Sequence, residues 1–131
     1  MKLFSRLPLL DSKKEALKNL KASNLFYLND EIEYKRGIDV LVLDHHEAEK
    51  FSEYACVINN QLCDYPTKSL SGAGVVYKFC CYLDSLLGFD YANDYVDLAT
   101  VGIIADVMTL NSFEVREIIL RGMKEFKKKK K

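Results

Sequence analysis

Gly37-Ile38-Asp39-Val40-Leu41-Val42-Leu43-Asp44-His45-His46 is the stretch on which the reading of this chain turns. Aliphatic and β-branched residues dominate positions 38–43 and Gly37 punctuates their start, which predicts a buried strand there. The two histidines, the only ones in the chain, then fall at that strand's carboxyl end. Open α/β sheets place their ligands at this edge. Neighbouring strand residues point to opposite faces, so a bent strand end can give His45 one task and His46 another, for example a metal ligand and a phosphate contact. A lone histidine near a strand is more often a satisfied polar residue than a ligand. Two adjacent histidines behind an aspartate shift the balance toward a site, without settling it.

At 131 residues and 49% hydrophobic content, the chain can bury one core of ordinary size, and no break in composition suggests two domains. The formal charge is zero, and Lys127 to Lys131 supply five of the positive charges, so the remaining body is acidic by the same amount. Such a body does not grip nucleic acid by charge alone, whereas it suits a site that gathers carboxylates around divalent cations. The lysine run itself, residues 127–131, reads as a solvated, disordered tail. Cys56, Cys63, Cys80 and Cys81 contain no Cys-x-x-Cys, which supports neither a zinc ribbon nor a disulfide framework. Leu7-Pro8-Leu9-Leu10 is stopped by Asp11, too short for a signal-peptide core, and no stretch approaches the ~18 apolar residues of a membrane span. The expectation is a soluble, cytoplasmic protein with reduced thiols and no membrane contact.

Along the chain, Asp11 or Ser12 can cap a helix reaching about Lys21, with Glu15 placed as in a capping box. Leu25 to Leu28 reads as a strand ended by Asn29-Asp30, although the connection to the next strand is short for a parallel crossover. Ala55 to Ile58 is a further short strand, followed by a polar loop over 59–71. Ser71-Gly72-Ala73-Gly74 opens the strongest helix, with Val75, Phe79, Leu83 and Leu86 on one stripe and Gly88 as terminator. Its two glycines either let backbone N–H groups approach an anion or merely allow tight packing of helix on sheet. From Asp94 a second helix runs through Ala105, apolar on nearly every face and therefore expected to be buried; Gly102 within it would be costly by ~1 kcal/mol unless something packs close. Asp106 stands in that greasy stretch as a second candidate ligand, or else as a cap or ion-paired carboxylate. Glu114 to Phe126 forms the last amphipathic helix, carrying Val115, Ile118, Ile119 and Met123. The whole is an α/β pattern: a parallel sheet flanked by helices.

Three segments in this order, Val42-Leu43-Asp44-His45-His46, Ser71-Gly72-Ala73-Gly74-Val75 and Val101 to Val107, resemble the DHH phosphoesterases of the RecJ exonuclease branch. The glycine-alanine-glycine helix start points to that branch, and the likeness runs from about Gly37 to Gly122. The resemblance implies a partial DHH catalytic domain over 1–126. It further implies a two-metal site, of Mn2+ or Mg2+, for 5′-to-3′ hydrolysis of single-stranded DNA in repair and recombination. On that basis His45 and Asp106 are metal ligands of one ion. His46 faces the scissile phosphate, Asp44 supports the histidine pair, and Gly72 and Gly74 join His46 in binding substrate. The family's His-x-Asp-x-Asp-Gly motif has no match here, since the chain contains no Asp-x-Asp and no third histidine. Asp30 is a candidate stand-in for the aspartate that bridges the two metals. Two readings stay open: a truncated or incomplete nuclease, completed by a polypeptide that brings the missing motif, or a catalytically inactive remnant or binding module that kept the fold.

Overall fold

The computed structural model describes residues 31–47 and 52–129, and the expected helix over 11–21, the expected strand over 25–28 and Asp30 lie outside them. The chain divides into two compact units, Met1–Val40 with Phe51–Cys56, and Leu41–Lys50 with Val57–Lys131. In the first, residues 31–35 are helical and end at Gly37, whose φ of 72° is the left-handed conformation that glycine adopts without penalty. The Tyr34 and Tyr54 rings meet there with centroids 5.4 Å apart.

The second unit carries the strands and the long helices. Strand β1 (Leu41–Asp44) pairs in parallel with β2 (Cys56–Asn59). The strand expected over 38–43 thus starts three residues late and takes in Asp44 at its end. Leu41 remains 46% exposed, so β1 is half-buried rather than buried. Helix α1 (Gly72–Leu87) starts and stops where its caps dictate: the Ser71 hydroxyl accepts from the Gly74 N–H, and Gly88 closes the helix at φ 74°. A short 3-10 turn over Ala92–Tyr95 leads into α2 (Val96–Ala105), and α3 spans Phe113–Lys129. The last helix therefore continues into the lysine run. Lys127 to Lys129 are helical rather than disordered, because lysine is a good helix former and its charge suits a helix C-terminus.

Leu70, Val75, Tyr77, Val96, Ile103, Val115 and Ile118 form the core among these helices, with Leu43 of β1 and Ile58 of β2 packed against it. Two glycines set how closely the helices approach. A Cβ on Gly102 would lie 2.4 Å from Ala73 Cβ of α1, and one on Gly122 of α3 would lie 2.0 Å from Thr100 Oγ1 of α2. Thr100, fully buried, has its hydroxyl 3.0 Å from the carbonyls of both Val96 and Ile118, sharing its one proton between them, and so ties α2 to α3. The expected burial of the second helix on nearly every face is only half met. Ala99, Thr100 and Ile103 are buried, but Leu98, Val101 and Ile104 are 61%, 49% and 55% exposed. The physical reason is geometric: α1 and α3 cover one side of the helix, and the opposite side faces solvent.

Candidate functional site

Asp44 ends β1 and the backbone bends directly after it, which leaves the two imidazoles in contact but unequally exposed. The His45 side chain is 16% exposed and the His46 side chain 76%, with ring centroids 4.3 Å apart. His45 lies against the start of α1: a Cβ on Gly72 would sit 3.4 Å from His45 Cδ2. Its Nε2 is 3.9 Å from Oδ2 of Asp106, the C-cap of α2. The close α1–α2 crossing at Gly102 thus brings residues 45 and 106 together.

That separation is too long for a hydrogen bond. It is short enough for two atoms sharing one ion through bonds of about 2.1 Å each. An imidazole nitrogen beside a carboxylate oxygen is a donor pair that manganese accepts. Hard divalent ions of this kind take about six ligands. Among the described residues no group of three or more histidine, cysteine or acidic side chains is placed to hold a metal. The side chains present therefore fit part of a coordination set.

Asp106 is placed against local preference. A carboxylate at a helix C-terminus opposes the helix dipole. The next residue, Val107, has φ 53°, a conformation unfavourable for a β-branched side chain. Local strain of this kind gathers at functional positions. Contrary to its apolar sequence neighbourhood, the Asp106 carboxylate is 45% exposed.

Asp44 is occupied otherwise. Its Oδ1 lies 2.7 Å from His46 Nδ1. Partial burial works against its charge, but the bond from the His46 ring, with the N–H groups of His45 and His46, outweighs this and holds the carboxyl below its ordinary value. An ionised carboxylate only accepts, so this contact is a hydrogen bond when Nδ1 carries the proton. Behind the pair stands Asn59, the last residue of β2, 3% exposed and bonded to both Asp44 and the His46 carbonyl. Reading the sequence missed it, because an asparagine after a short strand looks like an ordinary turn residue.

Of the glycines, Gly72 borders the site. Gly74 is buried against Leu70, and its N–H is committed to Ser71. A cavity of about 510 Å3, lined by Ile58, Tyr65, Leu70, Val75, Phe79 and Tyr82 among others, includes none of Asp44, His45, His46 and Asp106. The constellation is an open rim at a strand end.

The family model for the DHH family, N-terminal domain, matches residues 10–112. The chain belongs to the DHH family. It is 44% identical over 94 residues to the SPbeta prophage-derived protein YorK of Bacillus subtilis, named as a single-strand DNA-specific exonuclease; the alignment covers 71% of this chain and 16% of YorK. It is 33% identical over 95 residues to the single-stranded-DNA-specific exonuclease RecJ of the same organism, covering 70% of this chain and 12% of RecJ. A crystal structure of exonuclease RecJ bound to manganese superposes with a TM-score of 0.62 at 32% identity, over 69% of this chain and 23% of that one. This DHH chain thus spans less than a quarter of the relatives and the structure it matches.

Proposed function

We propose that this DHH chain serves metal-dependent hydrolysis of phosphodiester bonds in single-stranded DNA, with the 5′-to-3′ direction of the RecJ branch. The observation that carries the reading is the 3.9 Å approach of His45 Nε2 to Asp106 Oδ2 at the mouth of the α1–α2 crossing, beside an outward-facing His46. Support also comes from relatives named as single-strand DNA exonucleases and from the manganese in the RecJ structure. His45 and Asp106 hold Mn2+ or Mg2+ between strand end and helix end. When bound, the ion supplies Lewis-acid stabilisation of phosphoryl charge and a water nucleophile of lowered pKa. His46, its Nδ1 beside Asp44, faces the scissile phosphate. Gly72 leaves the start of α1 open for the substrate's approach. The remaining ligands come from a segment carrying the family's aspartate-rich motif on another stretch of polypeptide.

The test is a Mn2+ titration of the wild type against His45→Ala and Asp106→Ala, followed by degradation of 5′-labelled single-stranded DNA with and without a polypeptide bearing that motif. Loss of either ligand weakens Mn2+ binding by about tenfold or more, the scale on which metal sites respond to losing even a supporting contact. Equal binding by all three proteins removes the site.

A further inference from the structure

Asn59 uses every polar atom of its side chain. Its Oδ1 accepts from the Gln61 N–H at 2.8 Å, closing a turn two residues long. Its Nδ2 donates to the His46 carbonyl at 2.9 Å and, more weakly, to Asp44 Oδ2 at 3.4 Å. The turn needs only the oxygen. The amide nitrogen is thus free to act on the neighbouring strand end, and at 3% exposure it does so out of competition with water.

We propose that Asn59 is a positioning residue that helps hold the His46 ring in its contact with Asp44. One of its N–H groups holds the backbone carbonyl of His46 and the other steadies Asp44 Oδ2, which leaves Asp44 Oδ1 facing His46 Nδ1 at 2.7 Å. In the neutral ring this contact favours the Nδ1–H form, which makes the tautomer a readout of the ring's position. The N–H groups of His45 and His46 also hold the Asp44 carboxylate, and Asn59 adds the side-chain contact that ties this strand end to β2. Its catalytic meaning rests on the phosphodiesterase reading above; the tautomer itself does not.

The chain's two histidines make the measurement direct. Long-range 15N–1H correlation spectra of the metal-free full chain, at a pH well above the ordinary imidazole value of about 6.5, report which nitrogen of each ring is protonated, and His45→Ala assigns the signals. The wild type is expected to show His46 as Nδ1–H. Asn59→Ser removes the amide nitrogen, and Asn59→Asp keeps the side-chain volume and the turn's acceptor while removing both donors. In either variant the ratio of Nδ1–H to Nε2–H is expected to fall about fivefold, the scale of one lost hydrogen bond. Far-ultraviolet circular dichroism identifies the variant that is folded. A wild-type His46 protonated on Nε2, or a folded variant whose His46 stays Nδ1–H, overturns the assignment. A shifted tautomer in a chain that never cleaves DNA upholds the positioning role while sinking the nuclease reading.

Discussion

A methyl group on Gly102 has nowhere to go. It would meet Ala73 Cβ at 2.4 Å and the Ser71 hydroxyl at 3.3 Å, both on the helix that carries the edge of the site. Gly102→Ala is expected to cost about 1–3 kcal/mol through overpacking. Pushing α2 from α1 should also loosen the His45–Asp106 pair, so thermal melts and the Mn2+ titration should move together. Gly72→Ala is the control, since its methyl would meet His45 Cδ2 at an ordinary contact distance of 3.4 Å; its stability should change by less than about 0.5 kcal/mol. At this scale the sequence was informative where residue types are scarce. Two histidines in 131 residues, and one carboxylate after a long apolar run, stand out in the sequence itself. Gly102 also announced itself, because a glycine inside a helix needs a reason. Asn59 did not, since what it does depends on a partner strand 15 residues upstream.

Helix α3 is joined to the rest of its unit by a polar contact as well as by its apolar stripe. The Glu114 carboxylate accepts from the Tyr65 hydroxyl at 2.6 Å and pairs with Lys78 Nζ at 2.8 Å. Burial opposes its charge, yet the bonds from Lys78 and Tyr65 prevail and hold its carboxyl below the ordinary value of 4.5. A depressed value in the folded state means the contribution is fully present above the unfolded value and fades as pH falls through the folded one. The melting temperature should therefore decline as pH drops below about 4.5, and Glu114→Gln should make that decline shallower while lowering the plateau above it. An unchanged acid limb in the variant would show that this contact does not couple α3 to its neighbours. Element boundaries were legible where capping chemistry is local: Ser71 and Gly88 bracket α1 as their side chains and conformations require. The extent of α3 was not, because a run of like charge reads as solvated tail, whereas the helix dipole and the propensity of lysine carry three of those residues into the helix.

Across the molecule, the recurring limit of the sequence is that periodicity reports which residues avoid water and not what shelters them. Helix α2 reads as buried throughout, yet Leu98, Val101 and Ile104 are half exposed or more while Ile103 is 1% exposed. Likewise the α/β pattern predicted parallel strands correctly, but the described sheet has only two of them, β1 and β2. Two strands alone are marginal, so the helices behind them carry the order of the site. An ion binding only the folded state at a hundredfold excess over its Kd would add about 2.7 kcal/mol. Mn2+ should thus raise the melting temperature of the wild type by several degrees and leave His45→Ala unmoved; equal shifts in both would place the ion elsewhere.

The meeting of His45 with Asp106 joins a strand end to a helix end that have little else in common. On the proposed metal reading, an ion held by both ends would oppose their parting. Amide hydrogen exchange should register this as a paired slowing at residues 44–46 and 105–107 on adding the cation, with the middle of α3 untouched.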